Sequence, residues 1–148
     1  MLRTLARALL AALLIAAGVA HLTVLRRGYR IAVPDWATRL LRTDKDMIVV
    51  ASGAVEIVLG AAVIGLPRER RRVGAAVAAF FAAVFPGNVH QWRTGASAPG
   101  LDTDRRRAAR LLLQPVLVIW TIWATGEPRD TPGRAVRRRA TVRHGISR

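Results

Sequence analysis

Four long apolar stretches divide the chain, at residues 4–25, 47–66, 73–92 and 108–125. Each approaches the roughly 20 residues that cross about 30 Å of hydrocarbon at 1.5 Å per residue. A soluble four-helix bundle needs polar residues on about half of every helix face, but residues 9–20 and 74–87 contain no polar side chain. The pattern therefore predicts an all-α integral membrane protein, a bundle of four transmembrane helices.

The segments outside these stretches contain two further features. Residues 31–41 include Pro34-Asp35 as a helix start, followed by Trp36, Leu40 and Leu41 at helical spacing. This arrangement predicts a short amphipathic segment on the outer membrane surface. Residues 126–148 are rich in Arg, Pro, Thr and Gly, which predicts a disordered basic tail. We therefore expect a four-helix membrane domain over residues 1–125 and a cytoplasmic tail over residues 126–148.

The first apolar stretch has a second interpretation, a cleaved signal peptide. Arg3 and Arg7 precede its apolar part, and Gly18-Val19-Ala20 offers small residues to a signal peptidase. Cleavage there would leave three spans and would remove a partner from the polar cluster described below. A retained first helix is the simpler interpretation.

The distribution of charge indicates a cell-membrane protein and not a nucleic-acid binder. The formal net charge is +15, but the basic residues fall in short blocks between apolar runs, as in the loops of membrane proteins. Arginines are somewhat more numerous on the side that holds the N-terminus, the 67–72 hinge and the tail. The positive-inside rule therefore predicts that both termini are cytoplasmic. Because the chain has no cysteine, thiolate metal sites, disulfides and thiol redox chemistry are excluded.

Polar side chains within the spans form the candidate site. With the N-terminus inside, the rise per residue puts His21 roughly 6 Å, Glu56 roughly 14 Å, Asn88 roughly 6 Å and Gln114 roughly 9 Å below the outer surface. All four spans thus carry a polar group in the outer half of the bundle. We expect these groups to converge.

Glu56 is the only acid inside a span. Ser52, Glu56 and Gly60 recur every four residues, so this face is expected to point into the bundle. A charged acid at a helix centre costs about 2.5 to 3.5 kcal/mol on insertion scales. No Lys or Arg is expected at its depth, so Glu56 is expected to be protonated or strongly hydrogen-bonded.

Each of the other polar groups also has a structural interpretation. His21 equally fits a helix-end cap, and Gln114 equally fits a partner for carbonyls released near Pro115. Asn88 and His90 lie roughly 200° apart on a helix, so only one of them easily faces inward, and we expect it to be Asn88. The groups also fit a hydrogen-bonded hub that binds no ligand.

The polar positions lie in segments that resemble the DoxX family of membrane proteins. The segments, one in each span, read Ala17-Gly18-Val19-Ala20-His21, then Ser52 to Ile57 with Gly60, then Phe85 to His90, then Leu113-Gln114-Pro115 followed by Trp120. The resemblance covers about residues 10–125. One departure is that Gln114-Pro115 stands where the family commonly reads Pro-Leu-Gln.

The DoxX resemblance implies a four-helix fold embedded in the membrane. Some relatives are associated with thiosulfate:quinone oxidoreductase or with membrane oxidative-stress complexes, and most have no assigned activity. Carried over residue by residue, the resemblance points to a set of five positions, namely His21, Glu56, Asn88, His90 and Gln114.

Three functions stay open. The preferred one is an accessory or ligand-binding subunit, not an enzyme by itself, whose pocket holds a lipophilic molecule with a polar head such as a quinone. Its ligand-binding residues would be His21, Ser52, Glu56, Asn88, His90 and Gln114. Besides membrane lipids, its partner would be a membrane oxidoreductase or a second copy. The alternatives are a catalytic quinone oxidoreductase subunit, with His21 or Glu56 delivering protons, and a structural or transport protein.

Overall fold

The apolar stretches fold into long helices, joined by short helical turns. The computed structural model describes residues 1–98 and 100–126. Its helices are α1 (Leu2–Leu22), α2 (Arg26–Tyr29), α3 (Asp35–Leu41), α4 (Lys45–Gly65), α5 (Arg70–Thr94) and α6 (Asp104–Thr125), with 3-10 turns at Arg30–Ala32 and Pro67–Glu69. No strand occurs in these described ranges. The predicted all-α fold is confirmed, and α1, α4, α5 and α6 are long and apolar enough to span a membrane. The predicted tail, except for Gly126, lies outside the described residues.

The ends of the long helices differ from the predicted span limits for local reasons. α1 ends at Leu22 and not at Leu25, because Thr23 leaves the helical region with φ −121° and ψ −105°. α4 begins earlier than its apolar stretch, since the Asp44 side chain accepts a hydrogen bond from the Met47 amide at 2.7 Å. Thr103 caps α6 in the same way through the Arg106 amide. Polar first turns thus extend both helices beyond the apolar pattern.

The four long helices form two antiparallel pairs, α1 with α4 and α5 with α6. Glycine allows the first pair to approach closely: a Cβ on Gly18 would lie 2.5 Å from the Gly53 carbonyl oxygen, and one on Gly60 would lie 2.9 Å from the Ala11 carbonyl oxygen. The two pairs pack around a shared core that includes Leu10, Leu14, Val77, Phe81 and Leu117.

This arrangement gives the bundle two ends. The proximal end holds Met1, the 3-10 turn at 67–69 and the C-terminus of α6, and the distal end holds the C-terminus of α1 with α2 and α3. The predicted short helix is present and begins at Asp35 after an extended Pro34. Asp35 Oδ1 lies 2.7 Å from Lys45 Nζ, and the Lys45 ammonium lowers the pKa of the Asp35 carboxyl. The ion pair thus ties α3 to the start of α4.

Candidate functional site

A cavity of about 440 Å³ opens at the distal end of the bundle. Its walls come from all six helices and from the turn before α3. Most of the lining is apolar, and the polar exceptions are His21, Tyr29, Ser52, Glu56, Asn88 and Arg110. Cavities of this size and character are where proteins bind small molecules.

His21 and Glu56 form the polar centre of the cavity. His21 Nδ1 lies 2.7 Å from Glu56 Oε2, and both side chains are largely buried. The close packing of α1 on α4 creates this contact, because a Cβ on Gly53 would lie 2.9 Å from the Cβ of His21. Glu56 is therefore strongly hydrogen-bonded, one of the two states that the sequence predicts. Among the described residues, only Oε2 of this carboxyl group takes part in a hydrogen bond.

Asn88 supplies an amide without a partner. The residue is 6% exposed and lines the cavity. Its side chain makes no hydrogen bond to any residue in the ranges 1–98 and 100–126, and its amide atoms are not among the fully buried polar atoms that lack a partner, so they are open to the cavity. An amide that opens into a mostly apolar cavity is free to hydrogen-bond a molecule bound there. Asn88 therefore adds a donor and an acceptor to the cavity that His21 and Glu56 also line.

Ser52 also lines the cavity, but its hydroxyl group is already used. Its Oγ donates to the Val49 carbonyl oxygen of the same helix at 3.0 Å. The hydroxyl oxygen keeps its acceptor lone pairs. Ser52 therefore contributes a small polar wall and one acceptor.

Arg110 is the member of the site that the sequence prediction missed. It lies in the predicted fourth span and lines the same cavity as Glu56, so the site contains a cation that the sequence prediction did not include. Its Nη1 donates to Gln91 Oε1 at 3.0 Å, and its guanidinium lies 4.7 Å from the centre of the Tyr29 ring. The Tyr29 ring in turn packs edge-on against His21 at 4.6 Å. A spacing signal existed, because Arg107, Arg110 and Gln114 recur at three and four residues and share one helix face.

Gln114 and His90 do not line this cavity. Gln114 is buried between α5 and α6, where its Nε2 donates to the Phe81 carbonyl oxygen at 3.2 Å. The predicted convergence therefore fails for Gln114, which cross-links α5 and α6 near Pro86, a residue inside the continuous α5. The fourth span contributes Arg110 to the cavity instead. His90 lies in an adjacent groove with Arg93, and this groove shares only Trp36 and Pro86 with the cavity. Asn88 and His90 thus face different surroundings, as their angular separation predicts.

The comparisons with known proteins identify a family. The model of a domain of unknown function, DUF8561, matches residues 10–125. The chain belongs to the DUF8561 family. No curated protein and no solved structure matches it. The match spans every residue that lines the distal cavity.

The DUF8561 cavity offers hydrogen-bonding groups of both kinds. Arg110 donates only, Asn88 donates and accepts, and the His21 ring does either, depending on its protonation. No group of three His, Asp or Glu side chains within residues 1–98 and 100–126 is placed to hold a metal ion. The site is therefore suited chemically to an organic head group with oxygen acceptors.

Proposed function

We propose that this DUF8561 protein is a DoxX-like integral membrane protein of the cell membrane whose four long helices cross the bilayer, with both termini cytoplasmic. The outward faces of these helices support insertion. Leu5, Leu9 and Leu13 recur along the exposed side of α1, and Leu112, Val116 and Ile119 along that of α6. Exposed apolar stripes on helices of this length suit contact with lipid and not with water.

Within the membrane, the distal cavity binds a small lipophilic molecule with a polar head. The unpaired amide of Asn88, which lines the same cavity as the His21–Glu56 pair, is the observation that carries this proposal. A head group that accepts and donates hydrogen bonds would pair with this amide, and a typical hydrogen bond contributes about 0.5 to 1.5 kcal/mol.

The chemistry of the head group follows from the donors. Carbonyl oxygens, such as those of a quinone, accept from the Asn88 amide and the Arg110 guanidinium. The His21–Glu56 pair accommodates a hydroxyl as well as a carbonyl, because a neutral His21 leaves one ring nitrogen as an acceptor and a protonated one leaves a donor. A quinone-like ligand is therefore favoured over a purely anionic one.

The apolar tail of the ligand has a path to the lipid. Leu40 and Leu41 of α3 line the cavity while remaining 72% and 60% exposed. The cavity thus reaches the surface of the bundle beside α3 through an apolar opening. A ligand enters from the bilayer through this opening, with its head towards Glu56.

The protein acts as an accessory, ligand-binding subunit of a membrane redox or oxidative-stress system and not as an enzyme by itself. The absence of cysteine removes thiol redox chemistry, so electrons would have to come from a bound cofactor or a partner oxidoreductase. The DoxX resemblance supports such a partner. A catalytic quinone oxidoreductase is the alternative, and it requires turnover by the isolated chain.

Replacing Asn88 tests the binding proposal. Asn88→Leu removes the amide but keeps the branched shape and the number of heavy atoms of the side chain. Because the amide has no partner in the described residues, we expect the melting temperature to be unchanged or higher, while affinity for decylubiquinone falls about tenfold, the equivalent of 1.4 kcal/mol. Binding is measured by the shift in melting temperature of the purified full chain on titration with decylubiquinone.

The matched control is His90→Leu, two residues further along α5 and outside the cavity. It should leave decylubiquinone binding unchanged. Equal loss of binding in both variants, or a lower melting temperature for Asn88→Leu without effect on binding, would assign the amide a structural role.

A further inference from the structure

A second groove of about 450 Å³ lies at the proximal end, between α1, α5 and α6. Three arginines, Arg3, Arg7 and Arg70, line it together with Trp123 and the first residues of the chain. This groove shares no residue with the distal cavity.

The three arginines are turned into the groove. Each is half-buried, whereas Arg68, Arg71 and Arg72 of the same end are exposed. Arg3 Nη1 donates to the Gly126 carbonyl oxygen at 2.8 Å, and its guanidinium lies 5.7 Å from the centre of the Trp123 ring. These contacts hold one face of the Arg3 guanidinium, and the group's other N–H donors remain available.

The arginines of the groove lack acidic partners among the described residues that line it. The distal end provides the contrast. Arg26 and Arg30 also line a surface depression with Arg27, but both are ion-paired with Asp46. A half-buried cluster of like charges without acids is unfavourable unless an anion completes it.

We propose that the proximal groove binds the phosphate of an anionic phospholipid head group, held by Arg3, Arg7 and Arg70. Arginine forms strong, often paired hydrogen bonds to phosphate oxygens. Basic pockets between membrane helices bind acidic lipid head groups. The inference rests on the proposed membrane insertion but not on the distal ligand.

A lipid fits the groove better than free phosphate because its other walls are apolar. Leu2 and Trp123 line the groove and are 69% and 41% exposed, respectively. Trp side chains favour the interface between lipid and water. The groove therefore presents cations to a head group and apolar surface to the adjoining acyl chains.

The test measures lipid binding by native mass spectrometry of the purified full chain. In equimolar mixtures we expect phosphatidylglycerol to be retained at least about tenfold more than phosphatidylcholine, which is also a phosphate diester but carries no net charge. Arg70→Gln should reduce this preference several-fold. Its guanidinium makes no hydrogen bond to the described residues, so the fold should persist. Arg3→Gln should act similarly.

Arg27→Gln, an exposed arginine at the distal end, is the matched control and should keep the preference. Equal retention of the two lipids, or equal loss in Arg70→Gln and Arg27→Gln, would overturn the proposal. Competition by millimolar inorganic phosphate would also overturn it, in favour of a site for the free ion. Decylubiquinone binding should be unchanged in Arg70→Gln, which separates this groove from the distal site. Carbonate extraction of membranes tests insertion by itself. Failure of the lipid proposal can therefore be told apart from failure of the distal site or of insertion.

Discussion

Glu56 is the residue whose replacement tests the polar centre most directly. Its Oε2 accepts from or shares a proton with His21 Nδ1 at 2.7 Å. Glu56→Gln keeps an oxygen acceptor at this position, so we expect normal accumulation in the membrane fraction. Glu56→Lys buries a cation near His21 and Arg110 without an acceptor, which costs several kcal/mol, and it should abolish stable expression.

Glu69→Lys is the matched control for this charge reversal. Glu69 is exposed in the 3-10 turn before α5, and surface substitutions usually change stability by no more than about 0.5 kcal/mol. It should therefore accumulate normally. Normal accumulation of Glu56→Lys, measured by membrane-fraction yield and gel filtration, would mean that residue 56 faces water.

The residues of the site were predictable to different degrees. Helical spacing and position within the long apolar stretches indicate His21, Ser52, Glu56 and Asn88, because polar side chains are few and conspicuous in such stretches. Arg110 is harder to predict, since an arginine six residues into a helix with a basic first turn fits an interfacial loop equally well. Its contacts with Gln91 and Tyr29 come from packing of separate elements. No spacing within one segment encodes them.

At the scale of the helix, the close packing of α1 against α4 depends on glycine residues, which have no Cβ to keep the two backbones apart. Gly18→Ala adds a Cβ that would meet the Gly53 carbonyl oxygen at 2.5 Å and Ile57 Cγ1 at 2.7 Å. The backbone oxygen cannot turn away, so the helices must separate. We expect a loss of about 1 to 3 kcal/mol in stability, as for other overpacked cores, measured by thermal unfolding in detergent.

Gly65→Ala separates this packing effect from helix propensity. An added Cβ at Gly65, the last residue of α4, meets nothing within 4 Å. Alanine favours a helix over glycine by about 1 kcal/mol in helix interiors and by less at an end, so stability should be equal or slightly higher. A similar loss in both variants would show that the helices do not meet at Gly18.

The helices were easier to predict than their ends and their neighbours. Apolar runs of sufficient length identify α1, α4, α5 and α6. Hydropathy does not register capping, which is why Asp44 and Thr103 start their helices before the apolar residues begin. It also does not show that α3, expected on the surface, forms a wall of the cavity. The turn at residues 30–34 leads the chain into that position, and the exposed Asp35–Lys45 ion pair joins α3 to α4 there.

For the whole molecule, charge differs between the two ends. Among the described residues, acids at the distal end pair with arginines or lysine, as in Asp46, Asp35 and Asp102. At the proximal end Glu69 is the only described acid, and it pairs with Arg72. Among the described residues the proximal end therefore has fewer acids for each basic residue, a distribution that suits the cytoplasmic face and its anionic lipids.

The natural absence of cysteine allows a direct test of this orientation. Arg42 and Arg68 are exposed at the distal and proximal ends, respectively, so Arg42→Cys and Arg68→Cys each introduce one thiol without altering the core. In intact cells a membrane-impermeant maleimide should label Arg42→Cys at once, and Arg68→Cys only after permeabilisation, because α4 separates the two positions. The reversed pattern would place both termini outside. Labelling of both in intact cells would show that α4 does not cross the membrane, and the cavity would then face water and not lipid.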